Sequence, residues 1–182
     1  MDTELVRRAQ HGDEQAFASL SVAAGDRLHA VAHRILRDTE LAEDATQRAL
    51  LSIWQDLPQL RDPAHFDAWS YRLLVRACYA EARRTRHWNP TLRLLPTDEP
   101  EAGEGLGSVF DRDQLERGFR RLSIDHRAVV VLHHYLDLPL ESVAETLGVP
   151  LGTVRSRLHY AMRGLRAALE ADARPTAREA TR

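Results

Sequence analysis

Apolar residues recur at three- and four-residue steps along most of this chain, and alternating apolar–polar runs are scarce, so the periodicity predicts an all-α fold. A short helix is expected from about Thr3 to His11, ended by Gly12, with Asp13 as the cap of the next. That next helix runs from Glu14 to about Leu36 and carries Phe17, Leu20, Leu28, Val31, Ala32 and Ile35 at helical spacing, with Gly25 as a candidate break point. Thr39 then caps a helix to about Trp54, in which Leu41, Ala45, Ala49 and Ile53 repeat every four residues. Pro58 and Pro63 bracket a turn. A fourth helix, about Ala64 to His87, puts Phe66, Trp69, Leu73 and Ala77 on one stripe and Arg72, Arg76, Arg83, Arg84 and Arg86 largely elsewhere. Trp54 and Trp69 are both assigned to the core on this pattern.

The same style resumes after an interruption. Asp113 precedes a helix from about Gln114 to Leu122, followed by helices from Ile124 to Tyr135, from Leu140 to Leu147 and, after Gly148, from Leu151 to about Ala171. The interruption, TLRLLPTDEPEAGEGLGSVFDRD (91–113), holds two prolines and three glycines and lacks sustained helical periodicity. Its sequence reads as a linker whose fully extended reach is roughly 75–80 Å. The pattern thus divides the chain into a helical domain (1–90), a linker (91–113), a second helical domain (114–171) and a short polar tail (172–182).

Charge changes this picture. The formal net charge of −2 argues at first against a nucleic-acid partner, but it conceals a partition. Residues 1–90 hold 12 arginines against 13 acidic residues, 91–113 hold 2 against 6, and 114–182 hold 11 against 8. An acidic tether therefore joins a near-neutral half to a positive one. All 25 basic residues are arginine, a bias for which codon usage in a GC-rich genome is the plain explanation. Apolar residues make up 43% of the chain, enough for a core, yet no run approaches the ~18 that a membrane span needs, and the N-terminus MDTELVRRAQHGDE lacks a signal-peptide core. Cytoplasmic location without membrane insertion is the expectation. The lone Cys78 leaves no internal disulfide and no cysteine-based zinc site.

Residues 138–160, LPLESVAETLGVPLGTVRSRLHY, have the layout of a helix-turn-helix. Small Ala144 permits close helix approach, and Gly148 supplies a turn conformation that side chains with a β-carbon resist. Val143, Leu147, Val149, Val154 and Leu158 point inward on this reading. Thr153, Arg155, Ser156, Arg157 and His159 are left outward at the start of the second helix, where a recognition helix meets base edges and phosphates.

The segments LSIDHRAVVVLHHYLDLPLESVAETLG and PLGTVRSRLHYAMRGLRAALE closely resemble region 4 of bacterial extracytoplasmic-function (ECF) sigma factors. In the first half, GDEQAF, LAEDATQRALLSIW and FDAWSYRLLVRACYAEARR resemble successive pieces of region 2 of the same family. This resemblance spans about residues 3–88 and 114–170. It implies two small helical domains, a region 2 bundle and a region 4 helix-turn-helix, joined by a flexible linker. By the same resemblance, the chain would bind core RNA polymerase and direct it to promoter DNA, reading the −10 element with region 2 and the −35 element with region 4. An anti-sigma factor is a further partner that the family suggests.

Residue by residue, the resemblance assigns Asp44, Gln47 and Arg48 to polymerase docking, although the family commonly has an acidic residue at the place of Arg48 and often an aromatic one at that of Leu50. Capture of the −10 strand falls to Arg72, Arg76, Tyr79, Arg83 and Arg84, with Arg86 as a further cation and Tyr71 as an alternative base platform. Relatives often carry Asn at the place of Arg76 and Asp at that of Ala80, so base preference at −10 is open. Trp88 is left open between linker anchor and DNA contact. The −35 element falls to Thr153, Arg155, Ser156, Arg157 and His159.

Enzymatic readings find little support. His29 and His33 have the i, i+4 spacing that can share a metal, but no HExxH or nearby carboxylate cluster completes a site, and the adjacent His133 and His134 are expected to face different directions. A phosphate-binding glycine loop and a GxSxG nucleophile are both missing from the sequence. No catalytic residue, metal or cofactor is therefore assigned. The competing reading is a free-standing helix-turn-helix regulator that binds operators without polymerase.

Overall fold

The computed structural model describes residues 1–88 and 108–172, and among these every regular element is helical. The first half comprises α1 (Thr3–Gln10), α2 (Glu14–Leu36), α3 (Thr39–Asp56) and α4 (Phe66–Trp88), with 3-10 turns at Leu57–Gln59 and Pro63–His65 before α4. The second comprises α5 (Ser108–Arg121), α6 (Ile124–Val130), α7 (Leu140–Leu147) and α8 (Leu151–Asp172). α6 widens into a π-helical turn, Val131–Tyr135. The expected all-α architecture is thus observed.

Carboxylates start most of the first-half helices. Asp2, Asp13 and Asp38 each accept a backbone N–H of the following turn, satisfying donors that have no intrahelical partner. The cap of α3 is accordingly Asp38, whose Oδ1 accepts the Leu41 N–H at 2.9 Å, and the expected capping residue Thr39 lies inside the helix. Ser123 plays the same part for α6. Gly148 occupies the left-handed region at φ 66°, as its place between α7 and α8 requires.

Two boundaries differ further from the periodic reading. α2 runs unbroken through Gly25, because Leu20, Ala24 and Leu28 on the same face are at most 2% exposed and their packing outweighs the ~1 kcal/mol helix penalty of one glycine. α5 begins at Ser108, six residues before the expected start at Gln114, so Asp113 lies within it. The remainder of the expected linker, and the tail beyond Asp172, lie outside the described residues.

α2, α3 and α4 pack mutually around Leu20, Leu28, Ile35, Ile53, Phe66 and Leu74, with α1 laid against α2. In the second half, α8 carries α5, α6 and α7 along its length. At Gly118 α5 lies close against α8: a β-carbon there would stand 3.1 Å from Cβ of Ala168. The halves do not stand apart: α7 packs on α4 and α6 on α2. One continuous apolar cluster runs from Val6 through α2–α4 to Ile124, Val129, Leu132, Val143 and Val154.

Candidate functional site

The α3 surface combines a polar patch with an apolar groove. Phe17 of α2 and Gln47, Leu50, Leu51 and Trp54 of α3 line a shallow depression, with Leu51 63% and Trp54 47% exposed. The Trp54 ring meets Phe17 edge-on at 4.4 Å between centroids. The core assignment of Trp54 is corrected: it lies one position beyond fully buried Ile53, so the stripe that buries Ile53 turns Trp54 outward. Trp69 is partly buried against the core, in line with its assignment.

Beside the groove, two of the nominated docking residues, Asp44 and Arg48, are tied to α4. Arg48 Nη2 lies 2.6 Å from Glu81 Oε1, and Arg84 Nη2 lies 2.9 Å from both Glu81 Oε2 and Asp44 Oδ2. Glu81 is fully buried, and these two guanidinium groups are what offset its charge. Arg48 therefore turns its guanidinium toward α4, while Gln47 remains exposed at the groove. Sequence reasoning missed Glu81. Its signal was a charged residue four positions after Ala77 on the apolar stripe of an otherwise arginine-rich helix.

Along α4, Arg76 and Arg83 are exposed, Arg84 is engaged as above, and Arg72 is half-buried with its Nε lacking a hydrogen-bond partner. Tyr71 is only 7% exposed. Tyr79 is half-buried, and its hydroxyl donates to Asp125 Oδ1 of α6 at 2.9 Å. Burial first, then the adjacent Asp125 charge and the bond to it, raise the Tyr79 pKa above the ordinary phenol value. The side chains of Arg86 and Trp88 lie outside the described residues.

On α8, Arg155, Ser156 and His159 are exposed and Thr153 is half-buried. The Ser156 hydroxyl donates to the Thr153 carbonyl at 2.9 Å, and His159 meets Tyr160 edge-on. Val143 and Val154 are fully buried, and Leu147, Val149 and Leu158 pack partly buried against the core, as the helix-turn-helix spacing predicts. Arg157 differs from its neighbours. It is 25% exposed, and its Nη2 lies 3.1 Å from the Asp125 oxygen that also accepts from Tyr79. A single crevice is thus lined by Arg76, Tyr79, Ala80 and Arg83 of α4 together with Asp125, Leu147, Val149 and Arg157. No local signal marked Asp125, which becomes notable only through partners distant in sequence.

The histidine pairs behave as packing groups. His29 and His33 stack at 6.3 Å, and the rings of His133 and His134 lie 4.7 Å apart, against the expectation that they face different directions. The π-helical turn that contains them accounts for the difference, since its wider winding alters side-chain spacing. Among the described residues no three His, Cys, Asp or Glu side chains are grouped to hold a metal, and no helix is long and apolar enough to cross a membrane.

Comparison with known proteins matches both halves in order. Residues 22–87 match the family model for Sigma-70 region 2 and residues 118–167 that for Sigma-70, region 4. The chain is 32% identical over 166 residues to the ECF RNA polymerase sigma factor SigL of Mycobacterium tuberculosis, covering 87% of this chain and 94% of that protein. It is 28% identical over 194 residues to the RNA polymerase sigma-H factor of Pseudomonas aeruginosa, covering 98% and 97%. Among solved structures, the sigma factor RpoE of Bartonella quintana in complex with the anti-sigma factor NepR superposes with a TM-score of 0.70 at 23% identity, covering 86% of this chain and 98% of that one. The two surfaces described above accordingly sit on a known framework, and the chain belongs to the ECF sigma factors of RNA polymerase.

Proposed function

We propose that this protein docks core RNA polymerase through the α3 face and brings it to promoters whose −10 element is read by α4 and −35 element by the start of α8. Transcription initiates at promoters selected in this way. The observation that carries the reading is the exposed apolar groove at Leu51 and Trp54 beside exposed Gln47, on a helix within the residues that match the region 2 model. Large apolar side chains left in water on a helix flanked by polar residues suit a protein partner. The exposed Arg155, Ser156 and His159 supply a second, polar surface suited to DNA.

The chain recognises and melts, and phosphodiester chemistry stays with the polymerase. It acts in the cytoplasm, where polymerase and DNA are. An anti-sigma factor is a fitting further partner, as the solved relative bound to NepR illustrates for that protein. A free-standing operator-binding regulator is disfavoured because it leaves the α3 groove without a role.

The test is in vitro transcription with bacterial core enzyme on a mixture of promoter templates. Adding this protein should confine initiation to a subset that shares two upstream elements. If the protein instead shifts duplex DNA at nanomolar concentration and never co-purifies with core, the proposal fails.

A further inference from the structure

α4 carries two kinds of arginine. Arg76 and Arg83, about one turn either side of Tyr79, are exposed and pair with no carboxylate among the described residues. Arg84, a single position on, is turned about 100° round the helix and lies against α3. There it joins a chain of four charges of alternating sign, Arg48, Glu81, Arg84 and Asp44, two from each helix. Arg84 Nη2 lies 2.9 Å from both Glu81 Oε2 and Asp44 Oδ2, and Arg48 Nη2 lies 2.6 Å from Glu81 Oε1.

Exposure within the four is uneven. Glu81 is 0% exposed, whereas Arg48, Arg84 and Asp44 are 48%, 56% and 50% exposed, so three surface charges surround a buried root. Among the described residues no other group hydrogen-bonds either Glu81 oxygen, and the two guanidiniums supply its whole compensation. Drawing Arg84 off to a DNA phosphate would leave Glu81 with Arg48 alone, and a buried charge stripped of a partner is strongly destabilising. Arg76 and Arg83 carry no such tie, so nucleic acid can engage them without disturbing a buried charge. Asp44 and Arg48 stand one turn apart on the face of α3 that also carries Gln47 and Leu51. Whatever fixes Arg48 and Arg84 therefore fixes the polar side of the groove.

We propose that Glu81 is a positioning residue, which withholds Arg84 from the −10 strand and sets Arg84, Asp44 and Arg48 as the polar border of the polymerase-docking groove. Strand capture on α4 is thereby left to Arg76 and Arg83. The proposal rests on the reading of α3 as the docking face and α4 as the −10 reader. It moves Arg84, which the family resemblance groups with the strand-capturing cations, to the docking side.

Salt dependence separates the two roles, because each phosphate neutralised on a single strand contributes about 0.7 to the slope of log affinity against log salt. Holoenzyme made with each variant is titrated with a fluorescent single strand from the upstream region of a template that the wild-type holoenzyme transcribes, and core affinity is measured alongside by competition for core enzyme. Arg83→Gln should lower the slope by about 0.7. Arg84→Gln should leave the slope at the wild-type value and weaken core binding about two- to fivefold. Glu81→Gln keeps the side-chain shape and frees both guanidiniums, so the slope should steepen by about 0.7 or more while core binding weakens. Adding Arg84→Gln to Glu81→Gln should bring the slope back by about 0.7, which a merely structural role for Glu81 would not do. A slope lowered in Arg84→Gln as in Arg83→Gln overturns the proposal. So does a Glu81→Gln chain, as helical as wild type, whose slope and core affinity are unchanged. If Glu81→Gln does not fold, half-exposed Arg84 still decides through its own variant. Failure of the sigma-factor reading shows differently, as no core binding by the wild type, and the slopes of the free chains on oligothymidine then decide where Arg84 acts.

Discussion

Asp67 and Cys78 show how single side chains in this fold set measurable chemistry. Asp67 joins the Met1 amino group at 2.7 Å and Arg27 at 2.8 Å. Burial pushes its carboxyl upward, but the hydrogen bonds and charges of those two cations outweigh it and hold the pKa below the usual value of 3.8. A depressed carboxyl contributes stability that is complete above the unfolded value and is lost as pH falls through the folded one. Asp67→Asn should therefore cost about 0.5–1 kcal/mol at neutral pH, in view of its partial exposure, and the gap from wild type in urea midpoints should close below about pH 4. Burial, with the Glu81 charge adding to it, pushes the Cys78 thiol up to about 12. A thiol reagent at neutral pH should accordingly modify the protein only as fast as it unfolds, and rapid labelling of native protein would contradict the packing around Cys78. Neither behaviour was legible from residue type: both depend on groups brought together by folding, Asp67 on partners 40 and 66 positions away.

The helices themselves were largely legible, because apolar spacing and start or stop residues are local properties. α7, with Leu140 to Leu147 followed by Gly148, begins and ends where the sequence places it. What escaped the sequence were choices settled by tertiary packing or by neighbouring caps: the continuity of α2 across Gly25, Asp38 in place of Thr39, and the outward turn of Trp54. The α3–α4 pair makes two predictions at this scale. Arg48→Ala leaves buried Glu81 with Arg84 alone and should lower stability by about 1–3 kcal/mol in denaturant unfolding, whereas the paired change Arg48→Leu with Glu81→Leu should recover much of it. Leu51→Asp alters only the exposed rim of the groove; its melting temperature should stay near wild type while affinity for core polymerase falls at least about tenfold. Equal losses of stability and core affinity in Leu51→Asp would place that residue in the fold and not at the docking face.

At the scale of the whole molecule, the mutual packing of the two expected halves could not be read from the sequence. Residues such as Tyr79 and Asp125 are 46 positions apart, and nothing in the spacing of either half specifies a partner in the other. Arg155 and Arg157 separate the consequences of that packing. Arg155→Ala should weaken initiation at −35-dependent promoters and leave the melting temperature near wild type, while Arg157→Ala should also lower the melting temperature through loss of its pair with Asp125, as thermal unfolding would report. The continuous apolar cluster from Val6 to Val154 has a thermal consequence as well. Closing the halves removes apolar surface from water, so it carries a negative heat-capacity change, and its driving force fades on cooling. The hold of one half on the other should thus curve with temperature and weaken in the cold.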